Sequence, residues 1–203
     1  MKTEEDNIPA QHEGVKTDTT SSVKFNTEPD AVKHFTTVKS RFLNISKWGD
    51  VSGKGSADFQ LTDSLGNDVS RAPKEGDHIR IDIPAPGTDK GNGYEWVRIE
   101  TLDEQSDSAA QKEYIAIQVS PVPSPQNNSN STAHFFHPGA TSTFIIKRSG
   151  LVIHASVHGR NEKPNTDASG IFNKIRNFFI AIGAMLGISK IQWKSLVKGL
   201  VKK

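Results

Sequence analysis

Three side chains on strand-like segments are of the types needed to move a proton. Glu95 and Asp82 each offer a carboxylate that could act as a general base, and His154 offers an imidazole as its partner. Arg80, Arg98 and Arg160 lie on similar segments and could hold an anionic substrate. Such a set would suit a cyclase, a hydrolase or an isomerase. The plainer reading makes all of these groups the solvated face of an antiparallel sheet. It is preferred, because no catalytic motif accompanies them, and the balance leans away from an enzyme. Spacing does not say which carboxylate would meet the histidine.

Metal chemistry has less to work with. His134-Phe-Phe-His137 is the nearest thing to a metal pair, but this segment reads as strand or loop and has no clear third ligand. His154 and His158 share a strand face, yet four residues at ~3.3 Å each place them ~13 Å apart. The chain has no cysteine, which excludes thiol nucleophiles, thiolate sites and disulfides. The glycine-rich stretch from Gly87 to Gly93 lacks the order of a phosphate-binding loop and precedes a strand rather than a helix. No metal or cofactor is expected.

The large apolar side chains suggest a different use. Trp48, Trp96, Phe144, Phe178 and Met185 are the groups expected to meet between helix and sheet. There they would line a pocket for an apolar or amphipathic small molecule, or simply fill a core. Burying one such side chain is worth about 1.5–3 kcal/mol, so the fold alone would account for them.

The elements that must position these residues follow from periodicity. Residues 1–21 lack a period and read as a disordered arm. Val23 and Phe25 mark a short first strand over Ser22–Asn26. Thr27 can cap a helix and Pro29 suits its first turn. Ala31, Phe35, Val38, Phe42 and Ile45 then form one apolar stripe. A second short helix is expected over Asn44–Trp48.

From Ala57 the period changes to two. Strands are expected at Ala57–Thr62, at Val69–Arg71, around Ile79–Ile83, at Tyr94–Leu102 and at Tyr114–Val119. A Pro/Asn/Ser-rich loop covers 120–132. A hairpin then pairs Thr141–Lys147 with Leu151–His158, placing Ile153, Ala155 and Val157 on its buried face. Alternation rather than continuous apolar runs predicts an antiparallel sheet covered on one side.

The segment 171–203 carries the longest helical period. It predicts either two helices, near Ile171–Leu186 and Lys190–Lys202, or one helix with a bend around Gly187. It holds seven lysines and arginines and no acid, which leaves a net charge of −5 on residues 1–170. Lys190, Lys194, Lys198 and Lys202 form a single stripe. A packing helix with a solvated basic face is the preferred reading. A helix lying on a membrane surface comes next, and an acidic or nucleic-acid partner ranks last. The charge-free stretch 177–189 is too short to span a bilayer, which needs roughly 20 residues.

The order of elements resembles the START-like helix-grip superfamily, which includes polyketide cyclases, lipid-transfer domains and a plant pollen-allergen family. The resemblance rests on Val23–Phe25, on Glu28–Ile45, on Asn44-Ile-Ser-Lys-Trp48 with its tryptophan in the second helix, on the strands of 57–157, and on 171–203 as the gripping helix. It implies an α+β fold: a curved antiparallel sheet of about six to seven strands gripped by a long C-terminal helix, with two short helices after the first strand. It assigns 22–203 to one domain, and it implies a cavity between sheet and helix that takes apolar or amphipathic small molecules. The acidic, polar N-terminus has no apolar core of a secretory signal, so a cytoplasmic location is expected.

Overall fold

A computed structural model describes residues 3–83, 93–126, 132, 134, 136–163 and 191–203 of the chain. Seven strands form one sheet: β1 (Val15–Lys24), β2 (Asp58–Thr62), β3 (His78–Asp82), β4 (Glu95–Asp107), β5 (Lys112–Pro121), β6 (Thr141–Ser149) and β7 (Val152–Glu162). Their spatial order is β1-β7-β6-β5-β4-β3-β2, and every neighbouring pair is antiparallel. β1 and β2, consecutive in the chain, therefore lie on opposite edges. The chain crosses between them by α1 (Glu28–Leu43), a 3-10 turn (Ile45–Lys47) and α2 (Trp48–Ser52). A third helix, α3, contributes residues 191–201. The order is that of a helix-grip fold, and the fold is α+β as the sequence indicated.

α1 forms where its caps and stripe require it. The Thr27 hydroxyl accepts from the Asp30 amide, and Pro29 occupies the first turn, where no amide is needed. Ala31, Phe35, Val38 and Phe42 are its buried residues. Phe35, Val38 and Phe42 share a core with Phe59, Leu61, Ile79, Ile117, Phe144, Ile146 and Ile153 from one face of the sheet. Leu196, Val197, Leu200 and Val201 of α3 close the same core.

α3 is held by backbone chemistry as well as by apolar contact. Arg41 Nη1 donates to the carbonyls of Leu200 (3.1 Å) and Lys202 (2.5 Å), and His34 Nε2 lies 3.1 Å from the Val201 carbonyl. These carbonyls belong to a last turn that has no partners within its own helix. At the other end of the described residues, Gln192 Oε1 accepts from the Ala57 amide at 3.1 Å. α3 also comes very close to α2: a Cβ on Gly199 would lie 2.0 Å from the Val51 carbonyl oxygen.

The N-terminal region departs from expectation. The segment read as a disordered arm holds a 3-10 turn (Glu4–Asn7) and most of β1, and the first strand begins at Val15 rather than Ser22. β1 carries almost no apolar alternation, so periodicity could not reveal it. It is an edge strand held by backbone pairing to β7. The preceding residues are fixed by polar side chains: Asn161 Oδ1 accepts from the amides of His12 and Glu13, and Asn7 Nδ2 donates to Asp103. Ile8 packs on Tyr114, Ala116 and Ile145, on the sheet face away from the helices.

Three smaller differences have local causes. The strand expected at Val69–Arg71 is replaced by a single bridge between Thr62 and Asp68, because Asp63 gathers the amides of Leu65 and Asn67 into a turn and Arg71 pairs with Asp77. β4 continues to Asp107, past the end expected at Leu102, since its pairing with β5 needs no apolar side chain. The helical turns after α1 run on to Ser52, past Gly49.

Where β1 meets β7 the register shifts between Val15 and Thr17. Glu162 lies there, 3 % exposed, and accepts from Thr17 Oγ1 at 3.3 Å. Burial pushes its carboxyl up to about 7, with the charge of Asp18 adding; the Thr17 hydrogen bond and Arg160 oppose the rise.

Two outcomes are expected. Gly199→Ala should overpack the α2–α3 contact and cost about 2 kcal/mol, whereas Lys198→Ala on the exposed side should change the melting temperature little. Because the folded pKa of Glu162 lies above its unfolded value, its contribution is fully present below pH ~4.5 and is lost as pH rises to about 7. Denaturant unfolding across that window should therefore show a falling contribution that Glu162→Gln removes. At pH 8 that variant should be the more stable protein, by up to about 3 kcal/mol.

Candidate functional site

The helix-facing side of the sheet contains a buried carboxylate among apolar neighbours. In β4 the side chains alternate across the sheet. Glu95 is opposite Ile81, which is in turn opposite Phe59, so all three share a face. Phe59 and Ile81 belong to the core beneath the helices. Glu95 is 1 % exposed. Its near neighbours along that face, Ile79 and Val97, are apolar.

An aromatic group stands on the same face. The Trp48 ring lies 4.8 Å from Phe144 and 5.6 Å from Phe59. Trp193 of α3 lies 5.2 Å from Phe144 and 6.2 Å from Phe59. Trp48 is fixed by its own Nε1–H, which donates to the Phe42 carbonyl at 3.0 Å. Trp193 is only partly buried. The four rings therefore bridge α2, β2, β6 and α3.

The predicted residues divide between the two faces. Trp48 and Phe144 come together on the helix-facing side. Trp96 is fully buried but sits one residue from Glu95, opposite Arg80, on the face away from the helices. It is therefore not a lining residue of an interior pocket. Phe178 and Met185 lie outside the described residues. Phe59 and Trp193 were not singled out for this site. Their signals were present, since Phe59 belongs to the alternating run of β2 and Trp193 precedes Leu196, Val197 and Leu200 at helical spacing.

The proposed proton-transfer set is not brought together. Asp82 is exposed at the end of β3. His154 sits on β7 between the core residues Ile153 and Ala155, so its side chain is on the outer face. β4 and β7 are separated by β5 and β6, and Glu95 and His154 point to opposite sides. A one-residue difference in strand phase is enough to separate them. Of the arginines, Arg80 pairs with Asp68 and lies over the Tyr94 ring, and Arg98 pairs with Glu100.

His154 instead lines a groove of about 630 Å³ between the N-terminal segment and the outer face of β1, β7 and β6. Burial pushes its imidazole down, and the charge of Lys147 adds to this. His134 is buried beyond β5, where desolvation lowers it to about 3, and its Nδ1 accepts from the Phe136 amide. Among the described residues no three His, Asp or Glu side chains are grouped to hold a metal ion. Lys194, Lys198 and Lys202 are exposed, while the apolar positions between them are buried against the core. Lys190 lies outside the described residues. No helix among the described residues is long and apolar enough to cross a membrane.

No protein-family model and no curated protein matches the chain. Solved structures similar to it include a hypothetical protein from Helicobacter pylori, at 10% identity over 89% of this chain and 86% of that one, with a TM-score of 0.46. Norcoclaurine synthase from Thalictrum flavum is similar at 9% identity over 96% of each chain, with a TM-score of 0.39. Ara h 8.0201 is similar at 10% identity over 93% and 100%, with a TM-score of 0.36. Likeness of this degree carries no argument about ligand or reaction. The helix-grip assignment rests on the order and pairing of this chain's own elements.

Proposed function

We propose that the chain binds an amphipathic small molecule between the helix-facing side of the sheet and the C-terminal helix. Glu95 anchors its polar end, and the rings of Phe59, Trp48, Phe144 and Trp193 receive its apolar body. Phe178 and Met185 remain lining candidates by their place in the gripping segment. The observation that carries this reading is the burial of Glu95 next to the apolar Ile79, Ile81 and Val97. Taking a carboxylate out of water costs several kcal/mol before any partner repays it. A chain that needed only a core at this position would do better with an apolar residue. Buried groups of this kind, placed among convergent aromatic side chains, are the usual form of a small-molecule site.

A carboxylate selects for a cation or a hydrogen-bond donor. The preferred ligand class is therefore an amphiphile with an amine or hydroxyl head and an aliphatic or aromatic body. The partly buried Trp193 provides the readout, because a ligand entering beside it replaces solvent at the ring.

Native mass spectrometry of the purified chain should show a co-purifying species, or saturable binding of dodecylamine that shifts the tryptophan emission. Glu95→Gln should weaken dodecylamine binding at least ~10-fold, the effect of losing one charge-assisted contact, and leave the melting temperature unchanged or raised. A clean apo mass with no saturable emission change would remove the reading. So would a Glu95→Gln protein that loses stability and leaves amine binding intact, since Glu95 would then be a purely structural group.

A further inference from the structure

The outer face of the sheet carries an arrangement that the interior site does not use. Asp18 on β1 and His158 on β7 are directly opposite in the antiparallel ladder. Asp18 Oδ1 lies 2.6 Å from His158 Nδ1. Two residues earlier on the same strand and face, Ser156 places its Oγ 2.9 Å from His158 Nε2. Carboxylate, imidazole and hydroxyl thus form one continuous hydrogen-bonded line. All three line the groove under the N-terminal segment, and the His158 side chain is 16 % exposed.

The direction of the protons follows from chemistry. Asp18 also accepts from Arg160 Nη2 at 2.8 Å. Its partial burial alone would raise its carboxyl, but the hydrogen bonds from His158 and Arg160 outweigh this and hold it below the usual range. An ionised carboxylate can only accept. His158 Nδ1 must therefore carry a hydrogen, and in the neutral ring the lone pair on Nε2 faces Ser156. This is the tautomer in which a histidine draws the proton from a serine hydroxyl. Arg160 fixes Asp18 at the cost of some of its pull on His158.

We infer that Ser156 is a nucleophile activated by His158, with Asp18 as the positioning residue, in a second site that hydrolyses short acyl esters. Ser156 Oγ forms a bond to the ester carbonyl carbon as its proton passes to His158 Nε2. The tetrahedral intermediate collapses, and the alcohol leaves with that proton. Water then attacks the acyl-serine, gives its proton to Nε2 and releases the acid, and Ser156 recovers its hydrogen. Ile145 is the cross-strand neighbour of Ser156; with Ile8 and Pro9 it supplies an apolar wall for the acyl chain. His154, paired across the strands with Lys147 in the same groove, is the donor on hand for the oxyanion, with Lys147 itself donating to Glu4. The groove is of the size usual for small-ligand sites, which span about 300–1,000 Å³.

The test uses the full chain and a fluorophosphonate probe, read by intact mass and peptide mapping. One adduct is expected, on Ser156, and Ser156→Ala should abolish it without altering the circular dichroism spectrum. His158→Gln should slow labelling at least ~100-fold, a modest demand against the ~10⁴-fold effects known for such groups. Nitrogen-15 shifts of the His158 ring should report a protonated Nδ1, and Asp18→Asn should change that tautomer. Ser156→Cys introduces the only thiol in the chain; its alkylation by iodoacetamide at neutral pH should exceed that of a free thiol ~10-fold or more, and should lose that excess when His158→Gln is added. Absence of any adduct on the wild-type chain would overturn the assignment. An adduct that survives Ser156→Ala, or a ring protonated at Nε2, would overturn it equally.

Discussion

The packing of α3 is the constraint on which the rest depends. The sheet has one apolar face, and α1 covers only part of it. α3 has to complete the cover, and it can do so only if its terminal carbonyls find donors. Arg41 and His34, both on α1, supply them. Gly199 lets the helix backbone come against Val51 at a distance no side chain would allow. One helix thus caps the other, and both lie on the sheet. A net intramolecular hydrogen bond is worth about 0.5–1.5 kcal/mol, so these contacts add to the apolar ones that hold α3 in place.

The sheet then separates two kinds of chemistry. Its helix-facing side is apolar around Glu95, carries Glu104, Glu113 and Arg148 towards the N-terminal half of α1 and Lys39, and gathers aromatic rings from four elements. Its outer side carries Asp18, Ser156, His158 and Arg160, bonded to one another under the N-terminal segment. The strand period of two makes this separation possible within single elements: β7 contributes Ile153, Ala155 and Val157 to the core and His154, Ser156 and His158 to the groove. Neither surface interferes with the other, because side chains from the two faces never meet.

The N-terminal segment links the two. It holds no core residue, yet its Asn7 and Ile8 settle on the outer face, and β1 brings Asp18 opposite His158. The groove exists because this segment stands over a sheet face that would otherwise be open to water. Glu162, buried at the register shift where β1 meets β7, couples the fit of that strand to pH.

The amino-acid sequence by itself determined the element order, the antiparallel sheet, the capped first helix and the burial of Phe35, Phe42, Trp48, Phe144 and Ile153. Each follows from local periods of 3.6 or 2 and from capping chemistry, which act over a few residues. It did not determine that 15–21 is strand, since an edge strand held by backbone pairing needs no apolar pattern. Nor did it place Glu95 and Trp96 on opposite faces from His154 and Trp48, respectively. The phase of one strand relative to another is set by long-range pairing, and a shift of one residue exchanges the faces. Asp18 and Ser156 were unremarkable in the chain, 138 residues apart, and nothing in it joined either to His158. Only the tertiary structure decided that they meet, because the pairing of β1 with β7 joins two segments from opposite ends of the described fold into one ladder.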